Sequence, residues 1–487
     1  MNHILYHSTR GKSAPVTASK AILQGIAPDG GLYVPDHLPM LTADDLTAWL
    51  PLSYPQRAAK ILTRLLTDFS EEELLADCAA AYKDIPTKIV PLRGDVSVLE
   101  LWHGPTCAFK DMALALFPRL LSRALDKCGE PLDALIPVAT SGDTGKAAME
   151  GFRDIPRTHV HVFYPETGVS PAQKMQMITQ EGDNVRVTAI HGNFDDAQRG
   201  VKAMFADEGL KASLAKQGKF LTSANSINIG RLLPQLVYYV SAYCDLVTSG
   251  RLKMGELPDI AVPSGNFGNI LAAWLAKKMG LPIGKLISAS NANNVLSDFL
   301  TTGTYDRNRP FCLTLSPSMD ILLSSNIERL LYFTAGSDRC AEYMDTLSRE
   351  GHYTVDSGVF ELIRRDFEGD YCSDEACLDR IASTFLRYRY LIDPHTSVAL
   401  TAAERYLCGN DSDHLLVVST ASPYKFAPTV ARGLGLFPAK GEEACIDALA
   451  RATDTVPPAV LTQIYQLPVR FTEVIESSEI ATSLLSK

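Results

Sequence analysis

The feature that most constrains this chain is a recurring unit: an apolar run of strand length, a short polar loop, and an apolar segment with helical spacing. The strands of seven such units read ALIPVA, HVHVFY, VRVTAI, KFLTS, DIAVP, KLISAS and HLLVVS. They are apolar on both faces, which is typical of parallel strands covered by helices. The pattern predicts an α/β fold with open, mostly parallel sheets flanked by helices. The loops of such a sheet emerge at one edge, so loops far apart in sequence can meet there around a ligand.

The rest of the sequence predicts a division into four parts. Residues 1–95 form an N-terminal domain with amphipathic helices at ADDLTAWL and SEEELLADCAAAY. Residues 96–255 and 256–430 form two α/β domains, and the second carries a mostly helical insertion at about 296–390. Residues 431–487 form a C-terminal helical tail.

Composition and charge exclude several classes of function. The formal net charge of −10 argues against broad nucleic-acid binding and gives no attraction to anionic membranes. No apolar run approaches the roughly 20 residues that span a bilayer, and MNHILYHSTRGK lacks the apolar core of a secretory signal. The ten cysteines are scattered singly, and His159 and His161 have no third ligand nearby, so we expect no metal site. These observations predict a cytoplasmic enzyme with reduced thiols and no evident obligate protein partner.

Lys110 lies in LWHGPTCAFKDMALALF, where an apolar helix is predicted to begin. The partial positive charge of a helix N-terminus disfavours a protonated lysine there. The simplest interpretation is a lysine whose stem covers the core while its ammonium group reaches water. However, a helix start and partly apolar surroundings also lower the pKa of a lysine. Lys110 would then be a neutral amine that can form a Schiff base with an aldehyde.

Two glycine-containing loops follow predicted strands. SGNFGN combines two glycines with a helix start and predicts a phosphate cradle, although an ordinary tight turn also fits a glycine pair. TSGDTGK resembles a nucleotide-binding loop but has Thr140 where that motif needs glycine, and Ala147 where it needs serine or threonine. What remains is a hydroxyl-rich loop at a helix start, suited to a carboxylate or a phosphate.

Two further loops carry polar groups to the same predicted edge. NSINIGR ends at Arg231, and its amide, hydroxyl and guanidinium groups are typical of oxyanion recognition. Taken singly, each of these residues also fits a helix cap or a turn. STASPYKF places hydroxyls directly after an apolar strand. Together, the loops and Lys110 predict a pyridoxal-phosphate site, in which a loop holds the phosphate and the lysine holds the aldehyde.

An ordered series of motifs resembles that of the threonine synthases, which are pyridoxal-phosphate enzymes of the tryptophan-synthase-β-like fold (fold type II). The motifs are HGPTCAFKD, ATSGDTGKAA, GNFDDAQ, NSINIGR, VPSGNFGN, SMDILLSSNIER, DPHTSVAL and STASP. The resemblance covers nearly the whole chain and is to the longer microbial branch of the family.

This resemblance implies roles for individual residues. Lys110 matches the Schiff-base lysine, and Thr420 matches the hydroxyl that meets the pyridine nitrogen of the cofactor. Asp143 matches a neighbour of the cofactor's 3′-oxygen, where many fold-type-II relatives carry asparagine. The positions matching the loop that binds the cofactor phosphate are Gly265, Asn266, Phe267, Gly268 and Asn269. The positions matching substrate contacts are Ser141, Thr144, Asn225, Ser226 and Arg231, the last three toward the substrate phosphate.

The implied reaction converts O-phospho-L-homoserine and water into L-threonine and phosphate, the last step of threonine biosynthesis. Two alternatives remain open. The first is another fold-type-II enzyme on a related amino acid: a phospho-lyase would release phosphate but yield 2-oxobutyrate and ammonia, and a dehydratase of serine or threonine would need no phosphate-binding arginine. A non-catalytic protein that binds pyridoxal phosphate would keep the fold, although an intact Lys110 and a full set of loops argue against it.

Overall fold

The computed structural model describes residues 3–140, 142–167, 169–438 and 441–485 of the chain. Its strands are β1 (Tyr6–Ser8), β2 (Tyr33–Pro35), β3 (Lys88–Arg93), β4 (Val96–Glu100), β5 (Asp133–Ala139), β6 (Thr158–Pro165), β7 (Val185–His191), β8 (Lys219–Leu221), β9 (Asp259–Pro263), β10 (Leu286–Ser290), β11 (Thr304–Asp306), β12 (His352–Thr354), β13 (Phe367–Tyr371), β14 (Leu415–Ser419) and β15 (Val474–Glu476).

The helices connect and cover these strands. In chain order they are α1 (Ala18–Gln24), α2 (Ala43–Trp49), α3 (Tyr54–Thr63), α4 (Glu71–Ala81), α5 (Lys110–Leu114), α6 (Phe117–Lys127), α7 (Asp143–Phe152), α8 (Pro171–Ile178), α9 (Phe194–Met204), α10 (Glu208–Lys216), α11 (Ile229–Leu232), α12 (Pro234–Thr248), α13 (Gly268–Lys278), α14 (Val295–Thr302), α15 (Ile327–Glu350), α16 (Ser357–Asp366), α17 (Asp374–Tyr388), α18 (Pro394–Leu407), α19 (Ala427–Gly433), α20 (Glu442–Thr453), α21 (Ala459–Thr462) and α22 (Ile480–Ser483). Short 3-10 helices cover Pro317–Met319, Pro423–Phe426, Ile464–Gln466 and Ser477–Glu479.

The larger sheet has six strands in the order β13-β10-β9-β14-β4-β3. All neighbours in it are parallel except β3 and β4, which are antiparallel at one edge. Every residue of β4, β9, β10 and β14 is buried, as expected for parallel strands that have helices on both faces. The predicted strands DIAVP, KLISAS and HLLVVS supply β9, β10 and β14.

The smaller sheet has five parallel strands in the order β15-β7-β6-β5-β8. The other four predicted units supply β5, β6, β7 and β8, so the α/β fold expected from the sequence is confirmed. The structure differs in one respect. The units are divided between two sheets, and their loops come from two edges rather than one. Strand pairing depends on contacts between distant segments, which a local sequence pattern does not encode.

Outside the repeated units, the structure agrees only in part with the elements expected from the sequence. The two helices expected near the N-terminus are α2 and α4, and each begins with a capping box, at Thr42 and Ser70 respectively. The predicted helical insertion contains α15, α16 and α17, but it also supplies β13 to the larger sheet. The tail likewise supplies β15 to the smaller sheet. The four-part domain division remains a prediction.

Within the described ranges, no helix is both long enough and apolar enough to cross a bilayer.

The segments that follow β4 and β14 run beside each other at the carboxyl edge of the larger sheet. The N–H of Leu101 donates to the carbonyl of Ser419 (3.1 Å), and the N–H of Phe109 donates to the carbonyl of Thr420 (2.8 Å). Ala108 and Ala421 form an antiparallel bridge next to the second of these hydrogen bonds. This pairing fixes the start of α5, and hence Lys110, next to the loop that follows β14.

Asp366 ties the predicted insertion to α13, the helix that follows β9. Its carboxylate accepts a hydrogen bond from Trp274 Nε1 (2.9 Å) and forms ion pairs with Lys277 (2.9 Å) and Lys278 (2.7 Å). Burial on its own raises the pKa of Asp366, but these lysines and the indole N–H hold it below its usual value. The carboxylate therefore stabilises the fold in its ionised form.

We expect Asp366→Ala to lower the free energy of unfolding by about 2–4 kcal/mol at neutral pH, because it removes charged hydrogen bonds and leaves Trp274 Nε1 unpaired. A carboxyl whose pKa is depressed by folding contributes above its unfolded pKa, and this contribution is lost as the pH falls through its folded pKa. The difference between variant and wild type should therefore shrink below about pH 4. Denaturant unfolding at several pH values measures both effects.

The matched control is Glu361→Ala in the same helix, α16. Glu361 is exposed, and its carboxylate lies 3.9 Å from Arg364, a geometry that contributes little to stability. Equal losses of stability in the two variants would contradict the anchoring role of Asp366.

Candidate active site

Lys110 is the first residue of α5, directly after the pairing of the β4 and β14 segments. Its side chain is 15 % exposed, and its Nζ lies 3.7 Å from Asp143 Oδ2. Burial lowers the pKa of Lys110, the carboxylate of Asp143 opposes this shift, and the positive charges of Lys425 and Arg231 add to it. The net effect of these surroundings is a lowered pKa for the amine of Lys110. Its covalent role remains a prediction.

Asp143 joins the two sheets at this point, since it begins α7 after β5, whereas Lys110 follows β4. Its Oδ1 accepts a hydrogen bond from Gln173 Nε2 (3.0 Å) and lies 3.1 Å from Lys425 Nζ. Its Oδ2 accepts from Ser318 Oγ (3.2 Å). Burial on its own raises the pKa of Asp143, but Lys425 and Lys110 hold it well below its usual range. Asp143 is therefore a buried carboxylate between two lysines.

The loop from Gly265 to Asn269 leads from β9 into α13, and its backbone is turned by Phe267, which has the left-handed φ of 61°. The carbonyls of Gly265 and Asn266 accept hydrogen bonds from Ser324 Oγ (2.9 Å) and Asn326 Nδ2 (3.0 Å). Within the described ranges, no acceptor pairs with the N–H groups of residues 265–268. The loop therefore has satisfied carbonyls and free donors, which is the arrangement that binds an anion.

The two larger side chains of this loop differ in their surroundings. The ring of Phe267 is buried against Phe367, with centroids 5.5 Å apart, so this residue contributes backbone rather than side chain to the loop. Asn269 Oδ1 accepts hydrogen bonds from the hydroxyls of Tyr238 (2.5 Å) and Tyr239 (2.6 Å). These bonds fix the amide, whose Nδ2 is buried without a partner. Asn269 thus has one donor left for a ligand.

Thr420 follows β14, and its carbonyl is held by Phe109 as described above. Its side chain is buried, yet no described residue accepts or donates a hydrogen bond at its hydroxyl. The hydroxyl is therefore available to a ligand nitrogen beside Lys110. The expected contact of Thr420 with the cofactor's pyridine nitrogen stays a prediction.

Arg231 lies in the short helix α11, which begins after Asn228. Its Nη1 donates to the carbonyl of Ala224 (2.7 Å), and its Nε is buried without a hydrogen-bond partner. Burial lowers the pKa of Arg231 to about 10. Across the part of the chain that the structure describes, no carboxylate pairs with this guanidinium. A buried cation of this kind calls for an anionic ligand.

Three of the other residues predicted to bind substrate lie within the described ranges. Ser226 Oγ lies 3.4 Å from Ser325 Oγ, and the N–H of Asn225 donates to Ser223 Oγ (3.2 Å). Thr144 is the half-buried second residue of α7. Ser141 lies outside the described residues. The substrate contacts of all four remain predictions.

Several polar residues that reasoning from sequence did not assign to the site contact it. Lys425 and Ser318 touch Asp143 directly, as does Gln173. Lys425 lies within the STASPYKF stretch and Ser318 within SMDILLSSNIER, two stretches that already stood out in the sequence. The signal was therefore present, but neither residue belongs to a recognised catalytic pattern by its type alone.

A buried histidine supports the Ser318 segment from behind. The imidazole Nδ1 of His395 pairs with Asp393 Oδ1 (2.8 Å), while its Nε2 accepts a hydrogen bond from the N–H of Ser318 (3.2 Å). Because Nε2 is an acceptor here, the ring proton is on Nδ1, which donates a hydrogen bond to the carboxylate of Asp393. The pair fixes the segment that lies against both Asp143 and Gly265.

Arg329 provides a second, fully buried support. Its Nε donates to the carbonyl of Tyr33 (3.0 Å), and its other nitrogens donate to Asn326 and to the carbonyl of Ile227. It therefore ties the N-terminal part of the chain to the loop of Arg231 and to the residue that binds the carbonyl of Asn266.

Comparison with known proteins assigns this arrangement to a family. Residues 5–82 match the family described as threonine synthase N terminus, and residues 85–420 match the family of pyridoxal-phosphate dependent enzymes. A threonine synthase from Pseudomonas aeruginosa is 38 % identical over 443 residues, which cover 89 % of this chain and 91 % of that protein. This chain belongs to the threonine synthase family.

Two other comparisons set the scope of this assignment. The solved structure of a PLP-bound threonine synthase from Brucella melitensis has a TM-score of 0.89 and 34 % identity, with 99 % of both chains covered. The fold is therefore the tryptophan-synthase-β-like fold of fold type II, as the sequence predicts. A protein of Pongo abelii named threonine synthase-like 1 is 41 % identical over 433 residues, which cover 85 % of this chain but 58 % of that longer protein.

The residues present fit pyridoxal phosphate, the cofactor of this family. The unpaired N–H groups of residues 265–268 and the orphaned Nδ2 of Asn269 suit its phosphate. Lys110 is a buried amine of lowered pKa, suited to its aldehyde. Thr420 offers a hydroxyl on the same side of the sheet edge. These donors would hold the cofactor across the junction of the two sheets.

The loop from Gly265 to Asn269 has little room for a larger residue at Gly265. A Cβ added there would lie 3.1 Å from the carbonyl oxygen of Ser318. We expect Gly265→Ala to shift the loop and weaken cofactor binding by about tenfold or more, which corresponds to roughly 1–3 kcal/mol of strain. Absorbance titration of the cofactor-free protein with pyridoxal phosphate measures this affinity.

Gly358→Ala is the control, because a Cβ at that position in α16 meets nothing within 4 Å. Its cofactor affinity should equal that of the wild type. An unchanged affinity in Gly265→Ala would remove this loop from the cofactor site.

Proposed function

We propose that this protein converts O-phospho-L-homoserine and water into L-threonine and phosphate, the last step of threonine biosynthesis. The family assignment supports a lyase that depends on pyridoxal phosphate, and the matched threonine synthase is similar over most of both chains. The reaction removes phosphate from Cγ of the substrate and then adds water at Cβ.

The observation that carries this proposal is the buried Arg231. It has no carboxylate partner among the described residues, its Nε is unpaired, and its charge acts on Lys110. A substrate that reaches the amine of Lys110 with its amino-acid end can place a phosphate at this guanidinium. An enzyme that acts on serine or threonine has no need for such a group.

Lys110 is the residue that handles protons in this proposal. When bound, pyridoxal phosphate supplies the electron sink that stabilises negative charge on the substrate carbons. The Nζ of Lys110 accepts the proton from Cα and moves protons at Cβ, which a neutral amine can do. Arg231, Ser226 and Asn225 hold the phosphate that leaves from Cγ.

The other predicted residues orient the two ligands. Ser141 and Thr144 hold the substrate's amino-acid end. Asp143 and Thr420 border the cofactor ring. Its phosphate is bound by Gly265, Asn266, Phe267, Gly268 and Asn269.

Product analysis decides between this reaction and a phospho-lyase. Relatives named threonine synthase and relatives named threonine synthase-like 1 both match the chain, so the reaction has to be read from the product. Purified, cofactor-loaded protein is incubated with O-phospho-L-homoserine, and the organic product is identified by NMR. We expect threonine in step with phosphate. The appearance of 2-oxobutyrate and ammonia would give the chain the lyase reaction instead.

Lys110→Ala should abolish turnover and the covalent attachment of the cofactor while the fold remains intact. Reduction of the loaded protein with borohydride, followed by peptide mass spectrometry, locates the modified lysine. Turnover by Lys110→Ala at the wild-type rate, or cofactor fixed on a different lysine in the wild type, would be incompatible with the proposed role.

Arg231→Ala should raise KM for O-phospho-L-homoserine by about tenfold or more, since a charged hydrogen bond contributes about 1.5–3 kcal/mol. Cofactor affinity should change much less. Arg119→Ala is the matched control: Arg119 is a half-buried arginine of α6 whose Nε is also buried and unpaired, and its removal should leave KM unchanged. Identical kinetics for wild type and Arg231→Ala would exclude this arginine from the substrate site.

The proposal also covers the location of the enzyme in the cell and its partners. We propose a cytoplasmic enzyme with a small-molecule substrate and no obligate protein partner, as the sequence predicts. Fractionation of the source cells, together with activity of the purified chain alone, tests both statements.

A further inference from the structure

The candidate site contains a second lysine that the proposed reaction does not use. Lys425 lies in the 3-10 helix Pro423–Phe426, and its side chain is only 3 % exposed. Its Nζ lies 3.1 Å from Asp143 Oδ1 and donates a hydrogen bond to the carbonyl of Thr106 (2.6 Å). The corresponding distance from Lys110 Nζ to Asp143 Oδ2 is longer, at 3.7 Å. Asp143 is thus paired more closely with Lys425 than with the lysine that bonds the cofactor.

The surroundings of these three groups contain few other charges. The positive charge of Arg231, the residue proposed to bind the substrate phosphate, lowers the pKa of Lys110. Cys107, in the segment before α5, and Asp111, in the first turn of α5, both face Lys425. Asp111 accepts hydrogen bonds from the N–H (2.8 Å) and hydroxyl (2.6 Å) of Thr106, so its carboxylate is already occupied. Burial raises the pKa of Asp111 to about 6 and that of Cys107 to about 12.

Lys110 cannot be the permanent partner of Asp143. To bond an aldehyde it must be a neutral amine, and its nitrogen must change partners in each turnover. A buried carboxylate without a cation is strongly disfavoured. With Lys110 alone beside it, Asp143 would hold the lysine in its protonated form, since an opposite charge at this distance raises the pKa of an amine.

We propose that Lys425 is a positioning residue that serves as the permanent counter-charge of Asp143, and so releases Lys110 to work as a neutral amine. The two lysines then have separate tasks: Lys425 stays paired with Asp143, while Lys110 changes its partner in each turnover. Lys425 is fixed for this task by the carbonyl of Thr106, whereas no described carbonyl or hydroxyl accepts a hydrogen bond from Lys110 Nζ. The inference rests on the proposed covalent role of Lys110 but not on the identity of the substrate.

The test is a pH titration of the loaded protein followed by the absorbance of the bound cofactor. The midpoint reports the proton on the nitrogen of Lys110. In Lys425→Met the charge of Asp143 acts on that nitrogen alone, so the midpoint should rise by about one pH unit or more, within the range that a single opposite charge produces. Lys425→Arg keeps the charge and should stay close to the wild type.

A double variant separates the charge of Lys425 from its packing. In Asp143→Asn/Lys425→Met the negative charge is also removed, so the midpoint should return toward the wild-type value. Lys146→Met is the matched control: Lys146 is a half-buried lysine of α7, but it pairs with Glu150 (3.1 Å) rather than with Asp143. Its midpoint should equal that of the wild type.

A second readout uses the cofactor-free full chain. The rate at which acetic anhydride acetylates Lys110, measured by peptide mass spectrometry over a pH series, follows the neutral fraction of its amine. Lys425→Met should shift this profile to higher pH, and Lys425→Arg should not. If Lys425→Met fails to fold, Lys425→Arg and the double variant still test the inference, since both should keep the wild-type profile.

Two results would overturn the inference. One is a Lys425→Met variant in which neither the absorbance midpoint nor the acetylation profile moves. The other is an equal shift in Lys425→Met and Lys425→Arg, which would assign the effect to packing. Neither readout uses O-phospho-L-homoserine. A loaded protein that makes no threonine but shows the expected shifts would refute the proposed reaction and leave this inference standing.

Discussion

The hydrogen bond from the N–H of Phe109 to the carbonyl of Thr420 joins segments more than three hundred residues apart in sequence, and the rest of the site depends on it. It exists because β4 and β14 are neighbours in the larger sheet, so the chain leaves both strands at the same edge. Lys110 begins a helix directly after Phe109, and Lys425 follows Thr420 by one short turn. A single strand pairing thus brings together the predicted covalent lysine, a free hydroxyl and a second buried lysine.

Asp143 connects this edge to the smaller sheet. It follows β5, a strand with no hydrogen bonds to the larger sheet, and its carboxylate reaches both Lys110 and Lys425. A buried ion pair adds little net stability, because the desolvation of its charges offsets their attraction. Its better-supported use is to specify one arrangement of the groups around it. Here it links the segment that follows β5 to the segments that follow β4 and β14.

The sequence predicts the individual strands, loops and helices of this structure, but it does not predict which distant elements contact one another. Each apolar strand followed by a polar loop and a helix is present, because hydrophobic spacing and helix caps act within a few residues. The pairing of β4 with β14 was not predictable from these patterns, because β4 begins the predicted 96–255 domain and β14 lies near the end of the next one. β13 was missed because FEGDY carries two acids and a glycine, and it lies at the edge of its sheet, where an apolar run is not required. Lys425 was missed for a similar reason, since its importance arises only from its contact with a residue almost three hundred positions earlier.

The charge of the site is opposite in sign to that of the chain. The protein carries a formal net charge of −10, yet in its candidate site Lys110 and Lys425 flank the carboxylate of Asp143, and the positive charge of Arg231 acts on Lys110. Among the described residues, the guanidinium of Arg231 and the amides at the start of α13 have no protein anion to satisfy them. Burying that imbalance is unfavourable in the free protein, because desolvated charges need partners. Two phosphates, that of the cofactor at α13 and that of the proposed substrate at Arg231, would remove the imbalance at both places. An anion bound here would therefore be held by local donors, against the long-range repulsion of the whole chain, and the buried positive charge would supply the selectivity.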